Sequence, residues 1–351
     1  MEVYILTFIS SVLILYLCNI CVFSGKRVSL KMSYILATIP IIINASIRYN
    51  VGNDYNGYIR NFYAYKHGTP DWGEPIYAAI NKLLIFFDAN YQWLFFIFAV
   101  IFIIPIFLQI QEDSPIPILS IYLLFATKYY FAYLNISRQL CACAILFYSI
   151  RFIEKKYLKK FIVLCVIASG MHTTSIVFIP MYFFANYRFT VKKAAIITSL
   201  LFVLKPSIEN LMTYIFQRTK YVTYLGTYYD YEGAHYFNLL IQGVIFLMAI
   251  MFRNTRDNEE NKKYNIYINF QLMAIWTMMY SGSLPLIDRM RFYFTLPAIN
   301  LLAMASNNIQ SKLLKRMAIL GLVICFGIYV YVGIYLHGEY NTIPYQTIFS
   351  K

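Results

Sequence analysis

The sequence predicts an all-α polytopic membrane protein, with about 12 transmembrane helices and one re-entrant or interfacial helix at 75–87 on the outer face. Three observations carry that prediction. Hydrophobic residues make up 60% of the 351 residues and charged residues only 13%, a balance suited to lipid and not to a large water-facing surface. Apolar runs recur at lengths near the roughly 20 residues that a helix needs to cross a bilayer. Basic residues collect in five of the segments between those runs, as they do in cytoplasmic loops.

The first run, 3–23, follows Met1-Glu2 with no basic stretch ahead of it, and basic residues come after it. That order favours a retained span over a cleaved signal peptide. A second run lies at 32–47. The run at 75–87 is too short to cross comfortably, and a crossing there would put the basic clusters on the wrong side, so it is read as re-entrant or interfacial. Further spans are expected at 91–111, 115–133, 137–153, 158–171, 173–187, 193–205, 236–252, 265–283, 290–305 and 313–336. The stretch 158–187 reads equally as one broken span or a tight pair.

Orientation follows from the clusters Lys26/Arg27/Lys31, Arg151/Lys155/Lys156/Lys159/Lys160, Arg188/Lys192/Lys193, Arg253/Arg256/Lys262/Lys263 and Lys312/Lys315/Arg316. With these spans all five fall on one side, which is the cytoplasmic one, and both termini face outward. The net charge of +14 is then a property of the loops and calls for no nucleic-acid partner. Residues 1–351 read as a single integral domain with outer loops at about 48–90 and 206–235. The second loop carries a tyrosine-rich stretch at 221–236, including Tyr228, Tyr229 and Tyr231, suited to headgroup anchoring or to stacking on sugar rings. Cys18, Cys21, Cys141, Cys143, Cys165 and Cys325 all lie inside apolar runs, where small packing residues are expected and neither a disulfide framework nor a metal site is.

Arg48, Asp54, Glu74, Arg138, His172, Asp288, Arg289 and Arg291 remain, at or near the outer ends of spans, where the positive-inside rule does not explain them. Charged groups at such places are costly and generally functional. Cations gathered there suit an anionic, lipid-borne ligand such as a pyrophosphate, because the guanidinium fork donates bidentate hydrogen bonds. Carboxylates and a histidine among them supply acid–base groups. Each also has a structural reading: Arg48 can snorkel, Asp54 can cap a helix, His172 can be a satisfied helix-end histidine, and Asp288 can pair with Arg289 and Arg291. No phosphate-cradling Gly-rich loop, zinc spacing, HExxH, Gly-x-Ser-x-Gly or Asp-x-Asp occurs. A reaction without metal or cofactor on a lipid-borne substrate is what survives.

The pattern Arg48-x-x-Val-Gly-x-Asp54-Tyr55-x-x-Tyr58, then Glu74-Pro75, then Asn135-x-x-Arg138-Gln139-x-x-Ala142, then His172-x-x-Ser175 with Pro180, resembles the EpsG family of exopolysaccharide polymerases. That family is similar in role to the Wzy-type polymerases of O-antigen and capsule. The resemblance is strongest over 48–180 and looser at Arg289-x-Arg291-x-Tyr293-Phe294 and Ile343-Pro344-Tyr345. It implies a multi-pass glycosyltransferase of the bacterial inner membrane. A glycan on undecaprenyl pyrophosphate would be the donor, a second lipid-linked repeat unit the acceptor, and a chain-length regulator protein a partner. Arg138, Arg289 and Arg291 would grip pyrophosphate, with Arg48 in support. Asp54 is the first choice as general base, then His172 and Glu74. Asn135 and Gln139 would orient phosphate or sugar, and Tyr55 and Tyr58 would hold sugars. A flippase for the same lipid-linked unit, or a membrane O-acyltransferase using His172, would place similar residues in similar segments.

Overall fold

The computed structural model describes residues 1–23, 29–70, 73–218, 236–253, 259–281 and 287–350, and among them there is helix and connecting backbone but no strand. Two compact units divide the chain: Met1–Ile179 with Ile309–Lys351, and Pro180–Asn308.

The first unit begins with α1 (Glu2–Phe23), an apolar run without Gly or Pro. α2 (Leu30–Ala37) and α3 (Ile39–Ser46) together cover the second predicted span. They part at Thr38 because Pro40, at the start of α3, has no N–H to continue the ladder. α4 (Tyr55–His67) and α5 (Pro75–Phe86) follow, so the outer loop expected at 48–90 is built largely of two helices. α6 (Gln92–Asp113), α7 (Pro117–Ala126), α8 (Tyr129–Asn135), α9 (Ser137–Glu154) and α10 (Leu158–Met171) complete the run. α6 packs on α3 and α9, and α9 packs on α10, around a core that includes Phe95, Phe98, Phe102 and Tyr133.

A 3₁₀ turn over Thr173–Phe178 leads out of α10. The second unit contains α11 (Met181–Phe184), α12 (Val191–Val203), α13 (Lys205–Phe216), α14 (Tyr236–Met251), α15 (Glu259–Met278), α16 (Ile287–Thr295) and α17 (Ala298–Asn307). α15 packs against α12, α14, α16 and α17. Its Trp276 is buried among apolar side chains and donates Nε1–H to Thr198 at 2.8 Å. α18 (Lys312–Val330) returns to the first unit and packs on α7. It runs into a π-helical turn, Tyr331–Leu336, and a tail to Ser350.

Among the described residues three helices are long and apolar enough to cross a membrane: α1, α6, and α18 with its π turn. A fourth is reached if α12 and α13, bent by 62°, count as one span. Of the other predicted spans, those at 137–153 and 265–283 form the continuous but less apolar helices α9 and α15, and the rest form shorter or interrupted helices. The stretch expected as one helix at 115–133 breaks at Lys128, which takes φ +69°. That at 290–305 breaks before Pro297, and 173–187 divides into the 3₁₀ turn and α11. The first part of the outer loop expected at 206–235 is the helix α13, which Pro206 starts. Residues 221–235, which hold most of the tyrosine-rich stretch, lie outside the described residues, as do Lys26, Arg27 and Arg256.

Candidate functional site

Five of the polar candidates of the first unit sit at helix ends. Asp54 is the N-cap residue of α4 and Glu74 that of α5. Asn135 closes α8, Arg138 lies in the first turn of α9, and His172 is the C-cap residue of α10. Helix ends are where backbone N–H and C=O groups lack intrahelical partners and where ions are most readily held.

Three of these ends converge. Arg138 Nη1 lies 2.5 Å from Glu74 Oε2 in an ion pair whose side chains are each 13% exposed. His172 Nδ1 stands 3.8 Å from the other carboxylate oxygen, Oε1, an ion-pair separation and too long for a hydrogen bond. α5 and α10 can approach because residue 170 is glycine: a Cβ there would fall 2.7 Å from the Ile76 side chain. The Arg138 guanidinium also lies over the Tyr77 ring, 5.0 Å from its centroid. Its backbone N–H, an orphan of the first turn of α9, donates to the Tyr58 hydroxyl at 3.2 Å.

α4 supplies the aromatic side of this cluster. Tyr58 and Tyr65 are seven residues apart and therefore share a helix face. Tyr65 meets Tyr77 edge-on, with ring centroids 6.1 Å apart. Burial and the Glu74 carboxylate push the Tyr65 phenol above its ordinary range, with Arg138 opposing. Burial raises Tyr58 as well; Arg138 counters that shift and Asp54 adds to it.

A second group holds the approach to the site. Asn135 Oδ1 accepts the Asp54 backbone N–H at 3.0 Å. Gly52, at φ +94°, lies so close to Leu134 O that any Cβ would collide with it. Arg48 is fully buried. Its guanidinium donates to Leu134 O and, at 3.1 Å, to Ser137 Oγ, and it packs 4.6 Å from the Phe95 ring centroid. Tyr55 stacks on the same Phe95 at 4.8 Å. Neither Arg48 nor Tyr55 presents a surface to a ligand: both hold the 48–55 segment against α6 and the α8–α9 break. Gln139 is likewise buried, 3% exposed. Arg289 and Arg291 lie on α16 in the second unit, both partly buried.

Tyr65, Tyr77 and Ser137 are not among the residues that the sequence singles out. The i, i+7 spacing of Tyr58 and Tyr65, and the position of Tyr77 three residues after Glu74, were signals for the first two. Ser137 looks like a simple helix-start residue until Arg48 is seen to reach it. The C-terminal tail braces the same segment. Tyr49 N–H and Ile348 N–H donate to Gln346 O and Ile47 O respectively, Gly52 N–H donates to Asn341 O, and Arg48 and Thr347 form an antiparallel bridge. Among the described residues no three His, Cys, Asp or Glu side chains gather as metal ligands.

Neither a curated protein nor a solved structure matches the chain. A family model does, over residues 31–347, a range that takes in the Glu74–Arg138–His172 cluster, the Asp54 loop and most of the tail that braces it, and the chain belongs to the EpsG family.

Proposed function

We propose that the protein is a membrane glycosyltransferase that polymerises undecaprenyl-pyrophosphate-linked repeat units into a surface polysaccharide at the outer face of the bacterial inner membrane. The EpsG family suggests an exopolysaccharide polymerase-like activity. The observation that carries the finer reading is the convergence of Glu74, Arg138 and His172 from three helix ends. Twelve crossings, with the shorter helices completing the spans, belong to the same proposal.

Block transfer of a glycan requires stabilisation of the departing pyrophosphate and removal of a proton from the acceptor hydroxyl. Arg138 suits the first task. Its fork carries five N–H donors in all, and the first turn of α9 adds the positive end of a helix dipole. His172, 24% exposed and the most open of the three side chains, suits the second. Glu74, between them, holds Arg138 in place and stabilises the imidazolium that proton uptake would create. Asp54, partly exposed at the head of α4, is the other candidate for the base. Arg138 supplies the charge stabilisation a metal would otherwise provide, so the proposed reaction uses none. Arg289 and Arg291 keep the phosphate-binding role as a separate proposal for the second unit.

The experiment is the surface glycan profile of a strain lacking the gene, beside its complemented parent. If the protein is a polymerase, its loss leaves single repeat units on the acceptor and abolishes the ladder. Loss of even the single unit, with lipid-linked repeats stranded inside the cell, would indicate a transporter and overturn the reading.

A further inference from the structure

The segment joining α11 to α12 forms one wall of an aromatic slot in the second unit. Phe183, Phe184, Tyr187, Phe189 and Ile196 line it together with Lys193, around a volume of about 450 Å³. Phe183 and Ile196 are exposed, at 69% and 56%, so the slot opens outward and a long apolar chain can enter from the side.

The slot is built independently of any ligand. Asn269, only 2% exposed, aims its amide nitrogen at the carbonyls of Ala185 and Tyr187, at 2.9 and 2.6 Å. Arg253 Nη1 donates to Phe189 O at 3.3 Å. Behind the wall, Trp276 meets Phe184 and Phe189 with ring centroids 5.4 and 6.2 Å away. The segment's backbone is thus pinned through its carbonyls, and its rings brace one another, Phe189 meeting Phe184 and Tyr187 with ring centroids 5.0 and 4.6 Å away.

Cations border this apolar space. Lys193 donates Nζ–H to the Tyr187 hydroxyl at 2.8 Å and stands 5.3 Å from that ring's centroid. Arg188 and Lys192 precede it in sequence. Arg253, in the loop after α14, titrates below the ordinary arginine range because it is partly buried and feels the like charge of Arg188. An apolar slot with a positive border matches a molecule with alkyl chains and a negative headgroup.

We propose that this slot is a binding site for an anionic phospholipid, one acyl chain lying between Phe183 and Ile196 and the headgroup phosphate meeting Lys193 and Arg188. The positive-inside rule assigns these cations to the cytoplasmic leaflet, whose anionic lipids attract such clusters. A zwitterionic lipid offers the same chains but no net charge, which separates charge recognition from general lipid contact.

Trp276 reports occupancy, because acyl-chain bromine quenches indole fluorescence only at short range. The full-length protein carrying Trp72→Phe and Trp93→Phe is placed in lipid nanodiscs containing brominated phosphatidylglycerol or brominated phosphatidylcholine at equal mole fraction. Phosphatidylglycerol should quench Trp276 more strongly. Lys193→Gln should lower the relative affinity about fivefold, the worth of one basic side chain near the surface, and Lys193→Arg should keep it. Equal quenching by the two lipids, no quenching by either, or an unchanged preference in Lys193→Gln would each overturn the proposal. Lys193 is exposed, so an unchanged melting temperature of these variants checks that folding is intact.

Discussion

Glu74 and Arg138, 64 residues apart in sequence, form an ion pair 2.5 Å long that joins the start of α5 to the start of α9. Each side chain is mostly buried, so the pair has given up hydration that only good geometry and further partners can offset. The Tyr77 ring beneath the guanidinium and the nearby His172 provide such partners. The arrangement fixes a cation, a carboxylate and an imidazole within a few ångströms.

Arg138→Lys should reduce polymer formation by at least about tenfold, because a point charge can neither span Glu74 and a phosphate together nor reproduce the planar fork. The measurement is ladder intensity in the complemented deletion strain, normalised to the amount of protein in the membrane. Normal ladders at normal abundance would remove Arg138 from phosphate binding.

His172→Gln keeps size and polarity but removes the basic nitrogen. A general base contributes about 10²–10⁴-fold, so turnover of purified lipid-linked repeat units should fall by that order. Asp54→Asn should fall less if His172 is the base, and the ranking reverses if Asp54 is.

Gly52→Ala tests the approach loop. The residue is at φ +94° and would drive a methyl group into Leu134 O, so the loop must shift, with a destabilisation of more than about 1 kcal/mol. Leu134 adjoins Asn135, which holds Asp54, and activity should fall further than the melting temperature alone accounts for.

Lys128 and Glu339 hold the tail. Lys128 Nζ lies 2.7 Å from Glu339 Oε2 and 3.9 Å from the Tyr329 ring centroid, with its own side chain 8% exposed. Glu339→Gln leaves that buried cation without its counter-charge and should cost about 1–3 kcal/mol. Hydrogen exchange should quicken over residues 340–350, and over 47–52, which that tail brackets.

The helices were largely legible, because a period of apolar residues and its interruption by Pro, Gly and charge are local properties. The start of α5 at Pro75 and of α9 just before Arg138 follow from such signals. The break at Lys128 is not legible, and neither is the helix that resumes after Leu204, although the end of the span at 205 is. At Lys128 the residue at the break is itself buried and paired with Glu339 of the tail. At Leu204 a proline initiates a second helix where a loop was the simpler expectation.

The candidate residues were legible as types and not as a constellation. Charge near the ends of apolar runs singles out Arg48, Glu74, Arg138 and His172 alike, since each is costly there whatever its role. Tertiary structure divided them. Arg48 went wholly inside, against Phe95 and Ser137, while Glu74, Arg138 and His172 came together at partly open helix ends. The sequence by itself determined a helical, lipid-adapted chain and the chemical groups it has to work with, because composition and periodicity act residue by residue. Which arginine lies wholly inside and which stays partly open was decided only by the packing of α5, α6, α8, α9 and α10, because burial and pairing are properties of residues distant in the chain.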